Sequence, residues 1–477
     1  MKKYLMLAAL VLAVAAAPAS ASVQNVKVSG SIDSTWLYRD NFDLGESNTN
    51  IEDVKQNLFI TQTLLRVDAD LTDNVAATVQ LINERVWETD PGSANSDIDL
   101  NLAFVTLREM LYSPLTVIVG RQVFSYGNSF IMDATGANNL APSDSGISSA
   151  AQDLTKQTAL DAVRLIFDYN PLTLEFMYSK VDPGTVAQTF DNNGDDKDLF
   201  GANATYELGD AMNTEVEAYF FAQIDKSTRK LSSNSSKINK SDTIYIPGFR
   251  ASTNPIEGLN IQAELAWQRG NKVVTTTESS ANVQRKAFAA QFIANYQVPV
   301  AEAYNPVVNY TFTHVSGDSN PGNYPSSGYS STASGPASGD TYTAWDPFYE
   351  AQGGGTIYNA LFDLTNLQIH SVSLQVNPLE DVTTTLRWTG LWLDKELDSA
   401  AGVNTFTLRQ PDGTTNAVSA NTGKTELGYE VDFETIYDYT EDVQFGASFG
   451  WFVPGDVFAS ANDSMASQAI VHGNVNF

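Results

Sequence analysis

Residues 426–453 read ELGYEVDFETIYDYTEDVQFGASFGWFV, and apolar and polar side chains alternate along both halves of this stretch. A period of two is typical of β-strands that have one apolar and one polar face. The short polar segment 439–442 separates the two halves. The stretch therefore predicts two antiparallel strands joined by a tight turn.

The same alternation recurs in eighteen runs along the chain, nearly all long enough to cross a bilayer as tilted strands. The connections between runs alternate between short ones, such as 70–73, and long ones, such as 124–158 and 316–365. This pattern predicts an all-β fold, a transmembrane antiparallel β-barrel of about 18 strands with short periplasmic turns and long extracellular loops. A soluble sandwich or a set of β domains is the alternative, because its strands would also alternate.

Tyr and Trp residues recur near the ends of the apolar faces, as the interfacial girdles of a membrane barrel require. The last run ends at Phe477, and a terminal aromatic residue resembles the signal that the outer-membrane assembly machinery reads. That machinery is therefore an expected partner.

The first residues form an export signal rather than part of the barrel. Residues 1–21 contain Lys2 and Lys3, an apolar run and the small-residue ending Ala-Ser-Ala, which is typical of a secretory signal peptide. We expect cleavage after Ala21 and a single barrel domain over 22–477. The barrel is expected to be integral to the outer membrane of a Gram-negative-type bacterium, in contact with lipid and lipopolysaccharide.

The composition excludes several classes of protein. The 477 residues include no Cys, 27 Lys plus Arg and 56 Asp plus Glu, which gives a formal net charge of −29. A nucleic-acid-binding domain needs a basic face, and a thiolate zinc site or a cysteine nucleophile needs Cys. We therefore expect no nucleic-acid partner.

Charged residues on the polar faces of the runs are expected to line a wet bore, because an arginine facing lipid is costly. A barrel of 16–18 strands leaves an aqueous channel, so the expected function is diffusion or export of hydrophilic solutes. Loops 124–158 and 316–365 either fold into the bore or stay outside. The predicted pore-lining residues are Arg66, Asp68, Arg121, Arg164, Glu175, Arg387, Glu430, Asp432 and Glu434.

Several short motifs together resemble the alginate export family of outer-membrane porins. They are Gly120-Arg121-Gln122, Asp161-Ala162-Val163-Arg164, Ser316-Gly317-Asp318, Leu427-Gly428-Tyr429-Glu430-Val431-Asp432 and Phe452-Val453-Pro454-Gly455-Asp456. The resemblance covers most of the chain and implies an 18-stranded barrel that passes polysaccharide of the alginate type. It also implies that Arg121 and Arg164 are lumen residues.

The acidic residues of the last motifs bear on the substrate. Glu430, Asp432 and Glu434 share one face of their strand. Facing the bore, they would repel a polyanion unless arginines dominate its narrowest ring.

Three other functions remain open. His314 and Ser316 have the spacing of outer-membrane phospholipases, but no orienting partner is evident, so we expect no enzyme. Oxygen ligands at Asp191, Asn193 and Asp195 suit a Ca²⁺ ion in an external loop, but the full EF-hand pattern is absent, which favours a solvated turn. Finally, a large barrel could form a sheath around a periplasmic partner protein.

Overall fold

The wall of the molecule is one closed antiparallel sheet. The computed structural model describes residues 24–45, 55–87, 98–133, 145–182, 196–226, 241–275, 280–318, 341–351, 355–397 and 405–477. Within these ranges, eighteen long strands pair in chain order, and the last strand pairs with the first. Closure leaves no unpaired strand edge, as a sheet surrounded by lipid requires. The predicted fold class and strand number are confirmed.

The eighteen wall strands follow the alternating runs of the sequence. The first nine are β1 (Asn25–Asp40), β2 (Lys55–Thr72), β3 (Val75–Val86), β4 (Asp99–Leu107), β5 (Leu115–Gln122), β6 (Leu160–Asp168), β7 (Leu172–Asp182), β8 (Lys197–Glu207) and β9 (Glu215–Asp225). The other nine are β10 (Asp242–Ile256), β11 (Leu259–Thr275), β12 (Ala287–Gln297), β13 (Val307–Val315), β14 (Leu367–Leu379), β15 (Val382–Leu393), β16 (Glu426–Asp438), β17 (Val443–Pro454) and β18 (Ala466–Asn476).

The side chains of each strand point alternately to lipid and to the bore. In β2, Phe59 and Leu65 face outward and are 43% and 42% exposed, whereas Ile60 and Gln62 face inward and are buried. The outward row continues around the barrel with residues such as Val79, Val105, Val119, Val163, Phe176, Phe249, Leu374, Leu386 and Phe433. This apolar band is the surface that contacts lipid.

The C-terminal residue completes the seam between β18 and β1. The backbones of Phe477 and Gly30 exchange two hydrogen bonds, of 2.8 and 3.0 Å. A Cβ at Gly30 would lie 2.6 Å from the ring of Phe477, so the small residue lets the ring cover the strand. Recognition of Phe477 by the assembly machinery stays a prediction.

The described parts of two long connections fold into the bore. Loop A connects β5 and β6 (residues 123–159), and loop B connects β13 and β14 (residues 316–366) and contains the short helix α1 (Tyr358–Leu361). Buried residues of both loops, including Phe124, Phe130, Trp345 and Phe362, form one apolar core with inward wall residues such as Phe221 and Phe452. Among the described residues, no helix is both long and apolar enough to cross a membrane.

Candidate functional site

Loop A contacts the wall through the backbone of Gly127 and Asn128. The N–H of Gly127 donates to Glu217 at 3.0 Å, and the N–H of Asn128 donates to Glu264 at 2.8 Å. Gly127 has a φ of +63°, and a Cβ there would collide with the carboxylate of Glu264. Only glycine adopts this conformation without strain and leaves room for the contact. Arg250 fixes the turn from the other side by donating to the Asn128 side chain at 2.6 Å.

Arg164 and Glu175 also hold loop A. They form an inward-facing ion pair at 2.6 Å, and the hydroxyl of Tyr126 donates to Glu175 at 3.1 Å. The guanidinium of Arg164 lies 5.8 Å from the centre of the Tyr126 ring, which is a cation–π contact. Burial raises the pKa of Tyr126, so its hydroxyl remains a donor. This predicted pair therefore anchors a loop.

The second half of loop A is fixed by Glu84 of β3, which is 2% exposed. Its carboxylate accepts from the hydroxyls of Ser145 and Thr155 at 2.8 and 2.9 Å. It also accepts from the backbone N–H of Lys156 at 2.8 Å. Glu84 is not among the residues that the sequence predicted for the bore, although its inward parity within a strand run marks it.

Loop B is anchored by Glu430 and Asp432 of β16. The carboxylate of Glu430 accepts three backbone N–H groups, from Thr356, Ile357 and Tyr358, at 2.6, 2.8 and 2.7 Å. Asp432 accepts from the hydroxyl of Thr356 at 2.9 Å. The two acidic side chains face inward, but loop B covers them, and Glu430 and Asp432 are 0% and 3% exposed. The prediction that they line the open bore is wrong, because their oxygens bind a loop instead of facing water.

The inward loops leave a cavity of about 320 Å³ between themselves and one side of the wall. The wall side is formed by β12–β15 and the opposite side by both loops. Its lining residues include Gln291, Asn309, Thr311, Thr313, Ser371 and Arg387 from the wall, and Asn128, Phe130, Tyr358 and Leu364 from the loops. This constriction is far too small to enclose a folded protein, so the sheath alternative does not fit the structure.

Arg387 is the charged wall residue of this constriction. Within the described residues, its guanidinium donates no hydrogen bond and has no carboxylate within 4.0 Å, although Asp432 is its neighbour across the sheet. The other inward arginines are all paired: Arg39 with Asp153, Arg66 with Asp68, Arg164 with Glu175, Arg250 with Glu215 and Arg285 with Asp242. The donors of Arg387 are therefore available to a solute.

The remaining charged residues lie away from the constriction. Arg66 and Asp68 form an inward-facing pair at 2.7 Å near the short-turn end of β2, and Thr78 also donates to Asp68. Glu434 lies on the inward face of β16, on the short-turn side of Asp432. Their contribution to transport stays a prediction.

Comparison with known proteins decides the family. The family model described as alginate export matches residues 26–472. The chain belongs to the alginate export family. No curated protein matches it.

Solved outer-membrane channels share the fold of this alginate export family member. OccK3 (OpdO) of Pseudomonas aeruginosa is 10% identical, with a TM-score of 0.51, over 96% of this chain and 97% of that one. OpdK of Pseudomonas aeruginosa with vanillate is 9% identical, with a TM-score of 0.53, over 95% and 100%. OccAB2 of Acinetobacter baumannii is 11% identical, with a TM-score of 0.51, over 96% and 99%. These structures share the fold, and membership of the alginate export family makes the chain an integral outer-membrane channel protein rather than an enzyme.

One residue of the family motifs does not lie where the resemblance implies. Arg121 pairs across the sheet with Asp161, in register with Val119 and Val163, which are exposed on the lipid side. Its guanidinium lies 3.5 Å from Asp161. The expectation that Arg121 lines the lumen is wrong, because the alternation places it on the outward face, near the long-loop end.

The residues of the phospholipase alternative are occupied by structural contacts. The hydroxyl of Ser316 donates to the carbonyl of Thr343 at 2.8 Å and accepts from the N–H of Phe288 at 2.9 Å. It joins loop B to β12, which explains the serine in the Ser316-Gly317-Asp318 motif of the family.

The proposed calcium ligands cannot be placed. Asp191, Asn193 and Asp195 lie outside the described residues. Within the described part of the chain, no group of three His, Asp or Glu side chains is arranged to hold a metal ion.

Loop B also carries a carboxyl group whose burial makes docking depend on pH. Glu350 accepts the N–H of Phe348 at 2.8 Å, lies near Arg409 and Asp363, and burial raises its pKa from 4.5 to about 7. The carboxyl group of Glu350 binds its proton more tightly when loop B is docked than when the loop is exposed to water. Docking of loop B is therefore strongest at a pH below the ordinary pKa of glutamate. It weakens as the pH rises to about 7, by at most about 3 kcal/mol.

We therefore expect the backbone amides of residues 341–351 to be better protected from hydrogen exchange at pH 5 than at pH 8, after correction for intrinsic rates. Glu350→Gln should remove most of this difference, because its amide does not ionise. Equal protection of the wild-type loop at both pH values would contradict the expectation.

Proposed function

We propose that this channel conducts small hydrophilic carboxylates and that Arg387 is the residue that selects them. The single observation that carries the proposal is the guanidinium of Arg387, which has no hydrogen bond or ion pair among the described residues and lies in the wall of a cavity of about 320 Å³. A guanidinium binds a carboxylate through parallel N–H donors, and it does so most strongly where its donors are not already used.

The rest of the lining supports a small polar solute. Thr311, Thr313 and Ser371 supply hydroxyls, and Asn309 supplies an amide, all from neighbouring wall strands. Such groups can replace the hydration shell of a sugar acid as it passes. The volume lies at the low end of the range for sites that hold one drug-sized molecule.

A polysaccharide of the alginate type is the second candidate, and membership of the alginate export family favours it. A polymer strand would have to displace part of loop A or loop B, because both loops line the constriction. Burial of Glu430 and Asp432 beneath loop B removes the main electrostatic objection that the sequence raised against a polyanion.

Uptake of labelled solutes by proteoliposomes tests the proposal. Glucuronate and glucose are a matched pair that differ at one carboxylate, and we expect glucuronate to enter about five-fold faster or more. Equal rates for the two sugars would contradict the assignment of carboxylates. Entry of mannuronate oligomers as fast as that of glucuronate would favour the polysaccharide.

Export and assembly complete the proposal. Residues 1–21 would be removed after Ala21, Phe477 would be read by the assembly machinery, and the outward apolar band would lie among lipid and lipopolysaccharide. Mass spectrometry of the mature N-terminus tests the cleavage site, and a start at Ser22 is expected.

A further inference from the structure

Glu430 differs from an ordinary wall residue in how completely loop B uses its carboxylate. One oxygen accepts the N–H groups of Thr356 and Ile357, and the other accepts the N–H of Tyr358. Hydrogen bonds from three consecutive amides to the two oxygens of one side chain fix both the position and the orientation of the segment that donates them.

The anchored segment forms one side of the constriction. Helix α1 starts at Tyr358, the third donor, and the side chains of Tyr358 and Leu364 line the cavity opposite the wall strands. A movement of residues 356–358 away from β16 would therefore change the width of the passage beside Arg387.

A glycine in the adjacent strand allows this close approach. Gly450 of β17 lies opposite Asp432, and a Cβ there would collide with the hydroxyl of Thr356. The side chain of Gln468 in β18 adds a bond to the carbonyl of Thr356 at 3.3 Å. Three neighbouring strands thus form a seat that fits this segment of loop B.

We propose that Glu430 is the positioning residue that sets the width of the constriction, with Gly450 providing the space for loop B to dock. This inference rests on the proposed function for the location of the passage. It adds that the width depends on a buried wall carboxylate and not only on the residues that face the solute.

Single-channel conductance of Glu430→Gln tests the proposal. Whichever way the amide is turned, its NH₂ group faces a backbone N–H, so the segment should leave its seat. We expect conductance to rise by about two-fold or more, together with entry of larger neutral polyethylene glycols. The matched control is Glu434→Gln, which makes the same substitution on the same inward face without touching loop B, and should leave conductance within experimental scatter.

A second variant separates position from charge. Gly450→Val keeps every charge but blocks the seat, so it should raise conductance as Glu430→Gln does. Heat-modifiable migration in gel electrophoresis confirms that each variant has a folded barrel. If folded Glu430→Gln and Gly450→Val both conduct like wild type, the proposal is overturned. Because neutral polymers report width independently of Arg387, this failure is distinct from a loss of carboxylate preference.

Discussion

Replacing Arg387 by glutamine is expected to abolish the preference of the channel for anions. In the wild type this guanidinium lies in the constriction without an ion-pair partner in the part of the chain that the structure describes, and Asp432 is its neighbour across the sheet. A unit charge about 4 Å from a permeating ion is worth between about 1 and 4 kcal/mol, depending on the local dielectric. Its removal should lower the ratio of chloride to potassium permeability by about ten-fold, because Asp133 is then the one charged side chain left in the described lining.

The control for this variant is Arg66→Gln. It makes the same change of charge on the same inward face, but Arg66 is paired with Asp68 and lies outside the constriction. We expect its permeability ratio to change by no more than about two-fold, because an exposed pair is screened by salt. If the two substitutions change the permeability ratio equally, Arg387 does not determine the ion selectivity of the channel.

Substitution of Asp346 by alanine should give the largest loss of stability in the extracellular loops. Asp346 of loop B accepts from Lys272 at 2.8 Å and from the hydroxyl of Tyr342 at 2.7 Å, and it also pairs with Arg285. The alanine variant leaves Lys272 without its counter-charge and Arg285 with Asp242 alone, and breaking such a buried pair costs about 3–5 kcal/mol. The backbone of Asp346 also bonds twice to Gln268, which keeps the variant in register.

The contributions of Asp346 and Glu350 to the stability of loop B differ in how they depend on pH. Burial alone would raise the pKa of Asp346, but Lys272 and Arg285 hold it well below its ordinary value. A carboxylate whose pKa is lowered by folding stabilises the folded state fully at any pH above the pKa that it has in the unfolded chain. This stabilisation is lost only when the pH falls below the pKa that it has in the folded protein. The loss in Asp346→Ala should therefore be the same at pH 5 and pH 8.

Hydrogen exchange of residues 341–351 measures this loss. Asp412→Ala is the control, because Asp412 is exposed and bonds only to Thr414 within its own turn. We expect that control to change protection in loop B by less than about 0.5 kcal/mol. Unchanged protection in Asp346→Ala would mean that the cations find water or other partners, and would contradict the ion-pair account.

The alternation of residue types predicted the wall well because it is a local property of each strand. A residue such as Leu65 must face lipid and its neighbour Arg66 must not, so parity alone assigns their faces. The same rule, applied strictly, assigns Arg121 to the outward row of Val119, against the family resemblance.

The loops could not be predicted in this way. Glu430 and Glu434 have the same parity and the same chemistry, yet only Glu430 is covered by loop B. The difference depends on amides more than 70 positions away along the chain. Contacts between a wall carboxylate and a backbone N–H carry no periodic signal, so much of the negative charge that the sequence suggested for the bore anchors loops instead.

We expect Arg387, which has no hydrogen bond or ion pair among the described residues, to make this channel prefer anions, although Asp133 also lines the cavity. The most direct test is the zero-current potential of the wild-type channel in a planar bilayer with a potassium chloride gradient. We expect the wild-type potential to have the sign that chloride permeation gives. In Arg387→Gln we expect this potential to fall to near zero or to reverse. A wild-type potential of the sign set by potassium would contradict the account.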